Sequence, residues 1–147
     1  MPILEPKPVQ KPHPPVLIAG ADEQMTLLAV ARLGDACNIV DGDLVEAQYK
    51  LSVLLQTLRR GGPGLRHDRK DPCPTLGACP HATALAAKRE RLASRGPLSG
   101  FVGTVAETID LIGQYQDAGV DMLINAGRLN DEETRELFVS DVIPHSS

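Results

Sequence analysis

Residues 12–40, which read PHPPVLIAGADEQMTLLAVARLGDACNIV, decide the fold of this chain. The apolar run behind the prolines predicts a buried parallel strand at residues 16–19. Further apolar residues recur at helical spacing: Leu27, Val30 and Ala31. Gly34 is expected to end that helix, and residues 36–40 are predicted to form the next strand. The order strand, helix, strand is typical of a parallel α/β sheet.

The turn between the first strand and its helix consists of Ala19, Gly20, Ala21 and Asp22. Small residues there allow a ligand to approach the backbone closely. The free N–H groups and the dipole of a helix N-terminus favour an anion. We therefore predict an anion-binding turn at these four residues, in which Asp22 can also cap the helix. The alternative is an ordinary βα turn that needs small residues for packing.

Two segments of the chain resemble luciferase-like oxidoreductases that depend on flavin or deazaflavin. QKPHPPVLIAG and MTLLAVARLGDACN are similar to QKPHPPxxIGGGGxxxTLRLAARYADGWN of that family. GTVAETIDLIGQYQDAGVDMLINAG and ELFVSDVIP are similar to the family's GTPEEVAxRLxxYxxAGVDxxIxxL and ELFxxxVIP. The resemblance covers residues 5–60 and 101–144. Two separated motifs in the right order are more specific than one.

The resemblance implies that this chain of 147 residues is the C-terminal part of a (β/α)₈ TIM barrel. It implies an oxidoreductase or monooxygenase that binds its cofactor at the C-terminal face of the barrel. The PHPP and GDACN wording favours the deazaflavin coenzyme F-420 over flavin mononucleotide (FMN). A small organic substrate is implied as well, but no catalytic residue is assigned.

The same resemblance assigns cofactor contacts to Ala19, Gly20, Ala21, Asp22 and Asn38. In the family, the turn meets the phosphate-bearing tail of the cofactor. Asn38 stands where the family has the Asn of GWN, so its amide could serve the cofactor ring. The alternative is an Asn that satisfies only the local backbone. The chain departs from the family pattern at the preceding position, where a Cys replaces the Trp.

The pattern along the chain predicts four parts: an extended N-terminal segment at 1–15, two βα units at 16–60, an irregular loop plus helix at 61–100, and a last helix–strand–helix unit at 101–147. We expect no strand in residues 61–81, which are rich in Pro, Gly and charge. Residues 121–125 are predicted to form a third parallel strand. Capping boxes are expected at Asp43 with Glu46 and at Thr104 with Glu107.

The composition of the chain bears on which classes of partner and which cellular location we expect. A net charge of −4 gives no reason to expect nucleic acid or an anionic membrane as a partner. The longest apolar runs are far shorter than the roughly 20 residues that cross a bilayer. Three cysteines, an odd number, suggest a reducing cytoplasm. Four residues raise the question of a metal site, but their spacing does not fit one and we expect none: His67, Cys73, Cys79 and His81.

Two other functional hypotheses remain open from the sequence. The chain could be a non-catalytic remnant or a split-barrel subunit without activity of its own, because three strands cannot close an eight-stranded barrel. Its partner would then be an N-terminal barrel half or another copy of the chain. A free-standing nucleotide-binding domain is the weaker hypothesis, since the turn has one glycine where GxGxxG needs three.

Overall fold

The computed structural model describes residues 5–11, 13–20, 22–39, 43–59, 69–70, 76–94, 100–125 and 131–146. Strands and helices alternate along most of this length. The elements in chain order are β1 (Leu17–Ala19), α1 (Thr26–Leu33), β2 (Ala36–Asn38), α2 (Leu44–Arg59), β3 (Arg69–Lys70), β4 (Leu76–Cys79), α3 (Ala82–Ala93), β5 (Phe101–Thr104), α4 (Val105–Asp117) and α5 (Glu132–Leu137). A π-helical turn (Phe138–Val142) and a 3-10 turn (Ile143–His145) follow α5. The α/β fold expected from the sequence is confirmed.

The strands form two parallel groups. β1, β2 and β3 make one sheet in that order, and β4 pairs with β5 in a second sheet. Leu17 lies opposite Ala36, and Ala19 lies opposite Asn38, so the carboxyl ends of β1 and β2 are level. The predicted parallel pairing of the first two strands is therefore confirmed, but the prediction that the first strand is buried is wrong, because Leu17 in β1 is 49 % exposed.

The core lies between the first sheet and the helices that cover it. Its buried members are Leu27, Val30, Ala31, Cys37, Ile39, Ala47, Leu51, Leu54, Tyr115 and Val120. The predicted apolar stripe of α1 is thus buried, and Gly34 ends that helix by donating its N–H to the carbonyl of Val30 at 2.9 Å. Tyr115 comes from α4, so the C-terminal half shares this core.

The capping box predicted at Thr104 is confirmed, and one of the two contacts of the box predicted at Asp43 is present. Thr104 and Glu107 form a complete capping box at the start of α4, with the Glu107 carboxylate 2.8 Å from the Thr104 nitrogen. The N–H of Glu46 donates to Asp43 Oδ1 at 2.9 Å. These local contacts fix where α2 and α4 begin.

The prediction of no strand in residues 61–81 is wrong, because β3 and β4 lie there. The sequence of β4, LGAC, has neither β-branched residues nor alternation, so it carries no strand signal. Pairing with β5 and burial stabilise it instead, since the side chains of Leu76, Ala78 and Cys79 are all buried. β5 itself, Phe101–Thr104, was not anticipated either.

The predicted strand at residues 121–125 is also wrong: the structure assigns no strand to them. The side chain of Asn125 instead contacts the backbone of Leu76 in β4. Its Oδ1 accepts the Leu76 N–H at 3.2 Å, and its Nδ2 donates to the Leu76 carbonyl at 3.3 Å. One amide side chain thus takes positions that the backbone of a paired strand would occupy.

Candidate functional site

The structure brings three of the predicted cofactor residues together at the carboxyl ends of β1 and β2. Ala19 is opposite Asn38 in the ladder. The N–H of Gly20 donates to the Asn38 carbonyl at 2.9 Å and so extends the pairing by one residue. The carboxyl ends of parallel strands are where ligands bind in α/β folds. Ala21, the third turn residue of the prediction, lies outside the described residues.

Two features of the backbone at position 20, its conformation and the space beside it, favour glycine over any other residue type. Its φ is +143°, a conformation that L side chains rarely adopt. A Cβ at this position would lie 2.8 Å from Thr26 Cγ2 and 3.0 Å from Thr26 Oγ1. The glycine is therefore needed to seat the first residue of α1 against the turn, whatever else binds there.

Asp22 caps the turn that leads into α1. Its Oδ1 accepts the N–H of Met25 at 2.6 Å, and its backbone carbonyl accepts the N–H of Leu27 at 2.9 Å. Asp22 thus closes the turn before α1, but the N-cap of the helix is Met25, so the prediction that Asp22 caps the helix itself is wrong. Because Asp22 engages two amides at the start of the helix, an anion at this helix end would share the space with a carboxylate.

Asn38 is the most informative residue of the site. Its side chain is 9 % exposed, and its Oδ1 is buried without a hydrogen-bond partner in the part of the chain that the structure describes. A buried acceptor left unpaired costs about 1–3 kcal/mol, so such atoms are rare in folded proteins. The interpretation of Asn38 as a residue that satisfies only local backbone does not account for this oxygen. The neighbouring Cys37 is fully buried in the core.

A second polar cluster, which the sequence analysis missed, lies between α3, β4 and α5. Lys88 is 2 % exposed, and its Nζ lies 2.8 Å from Thr134 Oγ1, 3.1 Å from Glu133 Oε2 and 3.2 Å from Asp131 Oδ1. It also donates to the carbonyl of Ala78. A lysine on an alanine-rich helix with a charged face gives no signal of burial.

The charges of this cluster are mutually stabilised. Burial alone would raise the pKa of Asp131, but the hydrogen bonds from Thr134 and Lys88 together lower its pKa below the usual value. The pKa of Glu133 is lowered as well, because hydrogen bonds from Lys88 and Arg91 outweigh its partial burial. Asp131 Oδ1 has no hydrogen-bond partner in the described structure, as for Asn38 Oδ1, but it is ion-paired with Lys88 Nζ at 3.2 Å, so the cluster forms an ion-pair network.

The remaining candidates do not form a site. Within the described ranges, no three His, Cys, Asp or Glu residues are grouped so that they could hold a metal ion. Of the four residues considered for metal, His67 and Cys73 lie outside the described residues. The Cys79 thiol contacts the carbonyl of Gly103 at 3.2 Å, and burial raises its pKa. No described helix is long and apolar enough to cross a membrane.

Comparison with known proteins agrees with this architecture. No protein-family model matches the sequence, and no curated protein matches it significantly. Among solved structures, the chain is similar to a coenzyme F-420-dependent tetrahydromethanopterin reductase from Methanopyrus kandleri, with a TM-score of 0.66, 12 % identity, and coverage of 90 % of this chain and 51 % of that one.

Two further structures have the same likeness. An F-420-dependent secondary alcohol dehydrogenase, in complex with an F-420–acetone adduct, has a TM-score of 0.66 at 13 % identity and covers 90 % of this chain and 49 % of its own. Riboflavin lyase (RcaE), with modified FMN and riboflavin, has a TM-score of 0.70 at 10 % identity. The match covers 90 % of this chain and 42 % of the lyase chain.

The chain spans about half the length of these neighbours. At such low identity the likeness establishes the fold alone. The chain therefore has an α/β fold that corresponds to part of a luciferase-like TIM barrel.

Proposed function

We propose that this chain supplies the cofactor side of a luciferase-like oxidoreductase or monooxygenase that acts on a small organic molecule. One observation carries the proposal: the buried, unpartnered Oδ1 of Asn38 at the carboxyl end of β2. A flavin or deazaflavin ring presents an N–H that such an oxygen accepts. The described neighbours of Asn38 leave this acceptor unused, and a ring at the strand ends would satisfy it.

The residues present fit such a group in part. Asn38 would hold the ring, while the turn that begins at Ala19 and Gly20 would lie beside the phosphate-bearing tail. Asp22 fits less well, because a carboxylate next to a phosphate is unfavourable unless it stays engaged with Met25. When bound, the cofactor supplies the redox chemistry, and the chain orients it and excludes water.

We propose coenzyme F-420 as the preferred cofactor over FMN. This preference comes from the PHPP and GDACN wording of residues 12–38. Two of the solved neighbours are named for F-420 and a third holds modified FMN, so both classes occur on this fold.

We also propose that further barrel structure completes the site, either an N-terminal barrel half or another copy of this chain. β1 is at one end of its sheet, and Val16 and Leu17 are 41 % and 49 % exposed. Large apolar side chains at a sheet edge favour a covering element. We also propose a cytoplasmic location, because the chain has three cysteines, an odd number.

The proposal is tested by substituting Asn38 with Leu, which removes the amide and nearly keeps the volume. If Oδ1 has no protein partner, the free energy of unfolding should stay the same or rise by up to about 1 kcal/mol. Affinity for the cofactor should fall by about tenfold or more, as expected for the loss of one buried hydrogen bond. Fluorescence titration with F-420 and with FMN measures affinity, and urea denaturation measures stability.

The matched control is Gln56→Leu, an amide-to-leucine change at an exposed position of α2. We expect weak binding by the chain alone, because most walls of the pocket are supplied elsewhere. A strong loss of stability in Asn38→Leu with unchanged cofactor affinity would make Asn38 a structural residue and end the proposal.

A further inference from the structure

β4 is an edge strand whose outer side is closed by side chains. Leu76 and Ala78 are buried, and the described structure pairs β4 with one strand only, β5. By the alternation of a parallel strand, Gly77 and Cys79 direct their backbone groups to β5, and Leu76 and Ala78 direct theirs outward. An unpaired strand edge normally invites association with another chain.

Three side chains bond these outward groups, and a fourth, Asp131, holds two of the three; we call the four the edge cap: Lys88, Asn125, Asp131 and Thr134. The Asn125 amide pairs with both the N–H and the carbonyl of Leu76. Thr134 Oγ1 accepts the N–H of Ala78 at 3.1 Å, and Lys88 donates to the carbonyl of Ala78. The edge cap therefore reproduces the hydrogen bonds of a missing strand at two consecutive outward positions.

Ion pairing locks the edge cap in place. The Thr134 hydroxyl donates to Asp131 Oδ2 at 2.6 Å, while Asp131 Oδ1 lies 3.2 Å from Lys88 Nζ. Lys88 and Asp131 are 2 % and 3 % exposed at their side chains, so water does not screen the pair. Their charges hold Thr134 in the orientation in which its oxygen faces Ala78.

The other sheet has the opposite character. In the part of the chain that the structure describes, β1 also pairs with one strand only, but Val16 and Leu17 beside its open edge are apolar and largely exposed. We propose that the edge cap keeps β4 from pairing with β1 of a second copy of this chain. A β1-to-β4 contact joins two different surfaces, so it would build open chains of molecules and not a closed dimer. This inference does not depend on the proposed function.

The test opens the edge cap at one position at a time in the full chain. Thr134→Val removes the hydroxyl at nearly constant volume, and Thr134→Ser is its matched control because it keeps the hydroxyl. Amide hydrogen exchange of Ala78 should accelerate by about tenfold or more in the Val variant, with Gly77 and Cys79 changed by less than about threefold. Sedimentation velocity should show self-association that grows with concentration. The Ser variant should behave as the parent.

Asn125→Leu provides an independent opening that leaves the Lys88–Asp131 pair intact. It should accelerate exchange at Leu76 and also promote self-association. Adding Leu17→Lys to either open variant should abolish self-association while exchange at the opened amide remains fast, because a charge on β1 blocks the contact.

Three results overturn the inference. Ala78 could remain protected in Thr134→Val, which would mean that the edge does not need the cap. All β4 amides could accelerate together, which would mean that the substitution unfolds the sheet. Association could persist with Leu17→Lys, which would mean that β1 is not the strand that pairs with β4.

Discussion

Two regions differ in how their buried polar atoms are hydrogen-bonded. One is the carboxyl ends of β1 and β2, and the other is the outer edge of β4. At β4, side chains from α3, α5 and the segment before it satisfy the outward groups of Leu76 and Ala78. At the strand ends, Asn38 Oδ1 is just as buried but has no partner in the described structure. The comparison separates a region completed by its own chain from one in which our proposal assigns the open acceptor to a ligand.

The two regions also differ in their charged groups. The β4 cluster contains buried ion pairs, yet each charged group has several partners, and the pKa values of Asp131 and Glu133 are lowered together. The described residues of the turn, Gly20 and Asp22, show no comparable network, and Asp22 is exposed. The buried charges are therefore structural, and the functional candidate is a neutral amide. Perturbed pKa values alone would have pointed to the β4 cluster and not to Asn38.

The largest effect is expected at Lys88. Lys88→Met removes the cation and leaves the Asp131 carboxylate buried without its partner. Breaking one side of a buried pair costs about 3–5 kcal/mol, so urea denaturation should show a loss of that size. The double variant Lys88→Met with Asp131→Asn should recover much of it, because no unpaired charge remains. A loss below about 1 kcal/mol in the single variant would show that the cluster is solvated and does not close the edge.

Gly20→Val is the next largest change and bears on the other region. A branched residue at φ +143° that also contacts Thr26 should destabilise the chain by about 1–3 kcal/mol. It should further weaken cofactor binding by about 2 kcal/mol once the site is complete, because it fills space near the phosphate. Denaturation and fluorescence titration separate the two losses.

Thr26→Ser in the Gly20→Val background is the control for that prediction. It removes the Cγ2 atom closest to the new Cβ and should return part of the stability without restoring affinity. If affinity returns with stability, or if neither changes in Gly20→Val, the turn serves packing only and the cofactor site lies elsewhere on the barrel rim.

The sequence was sufficient for the first βα unit because its information is local. The spacing of Leu27 and Val30 indicates the buried face of α1, and Gly34 indicates where the helix ends. The spacing of Thr104 and Glu107 likewise indicates where α4 begins. Each of these features depends on residues within a few positions of one another, which is why pattern analysis recovers them.

The second sheet was not recoverable because its determinants are distant in sequence. The backbone of Ala78 is satisfied by Thr134, 56 positions away, and that of Leu76 by Asn125, 49 positions away. β4 has no strand propensity of its own, and residues 121–125 have it without becoming a strand. For the site, the sequence proposed Asn38, but only the structure reveals that its oxygen lacks a partner among the described residues.

The smallest effect is expected at Asp22, and it decides what the turn is for. Asp22→Asn keeps an oxygen that can accept the N–H of Met25, so the cap survives. Loss of the negative charge near the helix N-terminus costs at most about 1 kcal/mol of stability, which denaturation measures. Affinity for F-420 or FMN in the completed site should stay the same or increase, because a like charge near the phosphate is gone. Asp22→Ala, which loses the cap, should cost about 1 kcal/mol more and serves as the control. Weaker cofactor binding in Asp22→Asn would mean that the carboxylate itself accepts a hydrogen bond from the cofactor. The phosphate would then have to bind away from this turn, and Asn38 would be left as the one cofactor contact in the first sheet that our proposal retains.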